Sequence, residues 1–482
     1  MESRRRGGCR LECLCVPGFS FQGGETSPRT RALAAALLAA ALFAGYLGIP
    51  AEGGANDNYA HCLTALSLVR GEWGRLDRLR EHWASNVLGL RATIIETPDG
   101  HAVGGTGIGA ALALAPVYAL AQAAGAGPTF VLSPGFNHPI AALWSALAAA
   151  VFFLTVRRLV EGGPALLATL AVALGSPLFS VLSREPWQHT FLVALQCAAA
   201  WLVLAPGAAS GRQRALAAGV LLGWGGLVRA TAFLYVFPWA WLVRRAGRER
   251  LGPFLAGVLP GVIATLAYNW WTFGRPWLFG QLIIGRVRFG YEASQAVPYD
   301  PLAALAGLLV SPGRGLFVFS PVFLWALLVL GAAALARWSR SAAGRAAPWP
   351  FWLAPVLGLI AVNLLSAATW KEWAGGWTYG PRYLADTIPA WGLVVAAAAQ
   401  AGRDRSAVPR SLLALCWPLL ALSIAFHAAG LLVSPYRPDA YSARIDPDHH
   451  PERLWRWRDF PPLANLRLWL ADRARRPHVR AP

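Results

Sequence analysis

The sequence predicts an all-α polytopic membrane protein with about eleven transmembrane helices, each needing about 20 apolar residues. Three observations predict it. Hydrophobic residue types make up 56% of the 482 residues and charged types only 14%, whereas a soluble domain carries about 25% charged residues. Long apolar runs recur from one end of the chain to the other. Basic residues gather in short clusters between those runs, as the positive-inside rule requires.

The expected spans are 32–49, 138–156, 163–182, 190–206, 215–227, 230–243, 251–272, 315–336, 350–368, 386–401 and 411–433. The segment 105–124 is also apolar, and parity decides its placement. With the basic N-terminal tail inside, the clusters Arg157-Arg158, Arg212/Arg214, Arg244–Arg250, Arg337–Arg345 and Arg403–Arg410 all fall on the cytoplasmic side if 105–124 lies at the interface or re-enters. A single crossing there would put every one of them outside, so an interfacial or re-entrant helix is expected. Arg229 interrupts 215–243 and suggests two short halves returning to one side. A charge at that depth faces a cavity or the outer interface, or snorkels to headgroups.

The resulting organisation is a cytoplasmic tail 1–31, expected to be disordered, a transmembrane domain 32–433, and an extracytoplasmic tail 434–482. Extracytoplasmic loops are expected at 50–137, 273–314 and 369–385. The C-terminal tail carries more Arg than acid, which long translocated segments tolerate. The stretch 32–49 reads as a first span rather than a cleaved signal, because so many spans follow it.

The formal net charge of +19 does not indicate nucleic-acid binding, since no basic stripe or reading motif accompanies it. Of the 43 basic residues one is Lys, Lys371. With the Ala, Gly and Pro load, this points to a GC-rich bacterial genome. Cys9, Cys13 and Cys15 form a C-x3-C-x-C cluster with no second pair, short of the four ligands a zinc site needs. Cys197 and Cys416 lie in apolar runs and read as small core residues. No metal site and no nucleotide-binding loop is visible.

Three loops carry candidate chemistry. The first opens with Asn56-Asp57-Asn58, with His61 one helical turn beyond Asp57. A carboxylate at the membrane surface suits a general base toward a hydroxyl, and equally an N-cap. The second runs from Asn269 and Arg275 to Arg314, where guanidinium groups at headgroup height suit phosphate. The third, Thr369–Leu384, concentrates Trp370, Lys371, Glu372, Trp373, Trp377, Tyr379, Arg382 and Tyr383. Aromatic faces beside charged groups suit a sugar ring. Trp187 and His189, in the short loop Ser183–His189, are candidates for the cavity roof or for interfacial anchors.

These loops resemble the GT-C superfamily of membrane glycosyltransferases, especially the protein O-mannosyltransferase and aminoarabinose transferase group. The resemblance rests on Asp57 just after the first span and on the segments YNWWTFGRP, SPGRGLFVFSP and WAGGWTYGPRYLADTIP. With the helix pattern it covers nearly the whole chain. It implies a sugar donor on a polyprenyl phosphate carrier and an extracytoplasmic glycan, lipid or protein acceptor, with transfer in the bacterial cytoplasmic membrane. Asp57 matches the catalytic carboxylate, transfer inverts the anomeric carbon, and Arg314 and Arg382 hold the leaving phosphate. Asn58, His61, Arg229, Asn269, Arg275, Lys371, Glu372, Trp373, Trp377, Tyr379 and Tyr383 complete the expected substrate site. Many relatives carry two acids where Asn56 and Asn58 here flank a single Asp57, which leaves divalent-metal dependence open. The alternatives are a transporter or flippase of a lipid-linked saccharide, and a non-catalytic relative. The first lacks support from an internal repeat or from charges at mid-span.

Overall fold

The computed structural model describes residues 27–53, 55–84, 93–160, 162–204, 210–289, 300–341, 349–403, 408–447 and 450–475. The Cys9–Cys15 cluster, most of the 1–31 tail and Arg345 lie outside them. The described chain is a bundle of helices, with a single two-stranded hairpin pairing Ile94–Glu96 antiparallel to Ala102–Gly104. That hairpin sits in the first loop and was not expected from the sequence.

Six described helical stretches are long and apolar enough to cross a membrane: Arg29–Leu47, Pro134–Leu159, Arg248–Phe273, Pro321–Ser339, Arg382–Ala401 and Arg410–Ala429. Shorter apolar helices cover Ile108–Ala123, Gly162–Ala173, Gln188–Val203, Pro301–Val310 and Leu353–Ala368. The Arg382–Ala401 stretch is the most deeply buried, while Arg29–Leu47 and Arg410–Ala429 are peripheral. Leu33, Leu37, Phe237, Leu259, Ile263 and Leu335 point outward, as side chains solvated by lipid do. The chain is a multi-pass membrane protein.

Packing inside the bundle depends on small residues where backbones approach. Gly219 and Gly223 on the Gly211–Val228 helix meet Gly257 and Gly261 on the Leu251–Phe273 helix. A Cβ on Gly219 would stand 2.1 Å from the Phe254 carbonyl oxygen, and one on Gly261 2.3 Å from the Gly223 backbone. Two small-xxx-small motifs therefore interlock face to face, the usual solution where lipid offers no hydrophobic drive to association. Gly107 and Gly109 use the same device to seat the Ile108–Ala123 helix against Leu227 and Val228.

Several expected runs are broken, for local reasons. The 163–182 run is an α-helix over Gly162–Ala173 and then a wider turn at Leu178–Leu182, divided near Pro177, which lacks an N–H to donate. Residues 315–336 are not one helix, since a new helix starts at Pro321. Within the expected loop 273–314 lies the helix Pro301–Val310, capped by the Asp300 side chain on the Leu302 N–H, with Pro301 in the first turn. At Arg229, where the sequence places a break between two short halves, the backbone is extended, φ −145° and ψ 125°, and separates Gly211–Val228 from the Val236–Ala246 helix. The segment after Ala429 returns over the loops and ends in the helix Pro461–Arg475. Its Asn465 Nδ2 donates to the Ala429 carbonyl at 3.2 Å.

Overpacking a core costs about 1–3 kcal/mol and more where backbone must move. Gly219→Leu and Gly261→Leu should therefore lower the melting temperature of the detergent-solubilised protein and reduce its monodisperse fraction. Gly252→Leu, at a position with open space around it, should leave both unchanged.

Candidate active site

One cavity of about 470 Å³ opens where the first loop, the third loop and the Arg229 break converge. Asp57 reaches it from the first turn of the Asn56–Val69 helix. Its carboxylate lies 3.5 Å from the Arg382 Nη1, and its side chain stays 41% exposed while that of Arg382 is 9% exposed. The Arg382 guanidinium also lies over the Trp187 ring at 4.5 Å and the Tyr383 ring at 5.1 Å, so it is fixed by cation–π contacts on one side. Among the described residues the Arg382 Nε has no hydrogen-bond partner.

The start of the Asp57 helix is anchored from behind. Asn58 Nδ2 donates to Glu185 Oε2 at 2.5 Å, and the His61 ring is bonded to the Pro186 carbonyl at 2.6 Å through Nε2. Both partners belong to the loop that delivers Trp187. Arg184, 1% exposed, donates to Glu52 at 3.0 Å and to the Pro50 carbonyl at 3.1 Å. Glu52 is thus paired with a buried arginine, and Glu185 with the Asn58 amide. Burial, and then the charge of Glu52, push the Glu185 carboxyl up to about 8. Burial pushes the His61 imidazole down to about 4, so it is neutral.

Beneath the cavity lies a second charge cluster, centred on Asp386. His189 Nδ1 donates to Asp386 Oδ1 at 2.7 Å, Tyr235 donates its hydroxyl to Oδ2 at 3.1 Å, and Arg229 Nε lies 3.6 Å from Oδ2. Arg229 Nη1 meets His189 Nε2 at 2.7 Å. These partners require a neutral imidazole with its proton on Nδ1. Asn363 donates to the Tyr235 oxygen at 2.8 Å and accepts from Thr387 at 2.9 Å. Gln196 Nε2 donates to the Asp386 backbone carbonyl at 2.5 Å.

Of the residues expected from sequence, Asp57, Trp187, His189, Arg229, Glu372, Trp377, Arg382 and Tyr383 line the cavity. Arg314 does not. It is buried, and its guanidinium donates to the carbonyls of Ala374 at 2.6 Å, Gly376 at 2.7 Å and Gly313 at 2.9 Å. A buried guanidinium needs acceptors, and the left-handed turn at Gly375 and Gly376 (φ 74° and 67°) presents them. Arg314 therefore shapes the third loop and does not line the cavity. Asn58 and His61 face the loop behind the helix. Asn269 donates to the Pro276 carbonyl at 3.0 Å, and Arg275 is exposed away from the cavity. Trp373 packs on Gly307, and the Tyr379 hydroxyl bonds the Phe426 carbonyl at 2.5 Å. Lys371 is partly buried and does not line the cavity.

Sequence reasoning missed Asp386, Tyr235, Asn363, Tyr436 and Asp446. Asp386 carried a readable signal, an acid opening an apolar run four residues after Arg382. Tyr436 and Asp446 lie beyond the last apolar helix and gave none. Among the described residues no group of three or more His, Cys, Asp and Glu side chains is placed to hold a metal ion.

Residues 139–271 match the family of dolichyl-phosphate-mannose-protein mannosyltransferases. No curated protein and no solved structure matches the chain. The match covers less than a third of the chain and supports a membrane glycosyltransferase of the GT-C superfamily, the class its loop motifs resemble. The matched region contains Trp187, His189 and Arg229, and leaves Asp57 and Arg382 outside it.

The two clusters predict different stability behaviour. The Glu185 carboxyl is raised in the fold, so its contribution is fully present below the ordinary carboxylate value of 4.5 and is lost as pH rises through about 8. Melting temperature should fall over that window, and Glu185→Gln should flatten the fall. Removing the carboxylate from a buried pair costs about 3–5 kcal/mol. Asp386→Ala should therefore cause a large loss of thermal stability, and Asp57→Ala, at a half-exposed position, a small one.

Proposed function

We propose that the protein transfers a sugar from a polyprenyl phosphate carrier to a hydroxyl acceptor on the extracytoplasmic side of a bacterial cytoplasmic membrane. The observation that carries this reading is the Asp57–Arg382 pair at 3.5 Å on the wall of the cavity. An inverting transfer puts the attacking oxygen and the leaving phosphate on opposite faces of one anomeric carbon, so the base and the phosphate-binding cation must border one cavity and part when the sugar enters between them. The topology that goes with it has eleven crossings, with Ile108–Ala123 held at the interface.

In the resting site Asp57 neutralises Arg382. Donor phosphate entering the cavity competes for that guanidinium, whose fork geometry suits phosphate oxygens. Arg229 lines the same cavity, and its charge is already balanced by Asp386. Displaced from Arg382, the Asp57 carboxylate is free to accept a proton from the acceptor hydroxyl. The acceptor oxygen attacks the anomeric carbon from the face opposite the phosphate. The carbon–oxygen bond to phosphate breaks, its electron pair leaves with polyprenyl phosphate, and configuration inverts. Charge growing on the leaving phosphate meets Arg382, held in place by Trp187 and Tyr383. The proton on Asp57 then passes to solvent.

The test is release of polyprenyl phosphate from a panel of polyprenyl-phosphate sugars by protein reconstituted in lipid nanodiscs. General-base catalysis contributes about 10²–10⁴-fold, so Asp57→Asn should lose at least the lower figure while keeping its melting temperature. Arg382→Ala should weaken donor binding as well as turnover. A fully active Asp57→Asn variant would sink the base assignment. Movement of the intact lipid-linked sugar across vesicles, with no bond cleavage, would favour a flippase.

A further inference from the structure

Part of the cavity wall comes from the chain beyond the last apolar helix. Tyr436 and Asp446 line it together with Trp377 and Glu372 of the third loop. The returning segment is fastened over the site. Gly313 N–H donates to the Leu454 carbonyl at 2.9 Å, and a Cβ on Gly313 would stand 2.6 Å from a Leu454 methyl group and 2.9 Å from the Tyr441 hydroxyl. Arg453 bonds the Arg444 carbonyl at 2.7 Å and reaches both oxygens of Asp459 at 3.3 Å.

Asp446 closes the short helix Tyr441–Ile445 at φ 44°, in the left-handed region. A non-glycine residue there stores strain, and such residues concentrate at functional sites. The conformation brings the carboxylate to Trp377, whose Nε1–H donates to Asp446 Oδ1 at 3.2 Å. A carboxylate fixed at the edge of an indole has the two features that saccharide recognition uses. Carboxylate oxygens accept from neighbouring hydroxyls in charge-assisted bonds, and an aromatic face covers the apolar C–H face of a sugar ring. Peptide recognition by strand addition has a different requirement, a row of backbone donors and acceptors along a sheet edge.

We propose that Trp377, Asp446 and Tyr436 form an acceptor subsite for the saccharide end of a hydroxyl-rich glycan. The word acceptor rests on the transferase reading above, while the saccharide chemistry of the subsite does not. Asp57 presents its carboxylate to the same cavity, so a sugar ring held against Trp377 places its free hydroxyls within the space that the proposed base serves.

The experiment is saturation-transfer NMR on the full chain in nanodiscs, with maltotriose, mannotriose and chitotriose as glycan probes and a Ser/Thr-rich peptide of similar mass. At least one glycan should receive saturation on its ring protons, and the peptide none. One lost charge-assisted hydrogen bond corresponds to about tenfold in affinity. Asp446→Gly, which accepts a left-handed φ without strain, should weaken the glycan signal by that order, as should Trp377→Ala. Glycan binding unchanged in Asp446→Gly would overturn the subsite, as would peptide binding in its place or no glycan binding at all. Donor turnover, measured separately, distinguishes the two failures. Glycan binding lost in Asp446→Gly without any donor turnover leaves the subsite standing and removes the transferase. Wild-type turnover with unaltered glycan use by Asp446→Gly does the reverse.

Discussion

A carboxylate 1% exposed inside a membrane bundle survives only if its charge is met on every side. Asp386 achieves this with His189, Arg229 and Tyr235, each drawn from a different element. Those three contacts fix the start of the Gln188–Val203 helix, the extended break at Arg229 and the turn after it. Asn363 and Thr387 extend the same network to the Leu353–Ala368 helix. The floor of the cavity is therefore one hydrogen-bonded unit, rigid because no member can leave without stranding another.

Arg382 lies four residues from Asp386 in sequence and faces the cavity instead of the floor. Its partner Asp57 is half exposed and lies 3.5 Å from its guanidinium. The difference between the two ion pairs is physical. The Asp386 carboxylate is itself buried and hydrogen-bonded by His189 and Tyr235, so exchange of partners is expensive there. The Asp57 pair borders open volume, so an incoming anion can replace the carboxylate at modest cost. Trp187 and Tyr383 hold the guanidinium through cation–π contacts that do not involve the carboxylate.

The glycine contacts serve the site from a distance. Backbone-to-backbone approach of Gly211–Val228 and Leu251–Phe273 positions the end of the first helix, and so the Arg229 break. Behind Asp57, the Asn58–Glu185 and His61–Pro186 bonds tie the first-loop helix to the loop carrying Trp187. Residues that read in sequence as pocket-lining neighbours of Asp57 turn out to hold its helix down. A helix start has one side facing the cavity and one facing the bundle, and only packing says which residue takes which.

The sequence by itself determined that the chain is helical and membrane-embedded, because hydrocarbon solvation demands long apolar runs and collects charge between them. It also pointed to Asp57, Arg382, Trp377 and the aromatic third loop, which the structure brings to one cavity, because charges among aromatics at a span end are expensive enough to be conspicuous. Only the tertiary structure decided which arginine meets the cavity. Arg314 and Arg382 look alike in sequence, but one is satisfied by the carbonyls of a glycine turn and the other by a carboxylate at an open wall. Tertiary structure alone also brought Tyr436 and Asp446 back over the site from beyond the last apolar helix. Contacts between distant segments depend on how the bundle closes, and local pattern carries no record of that.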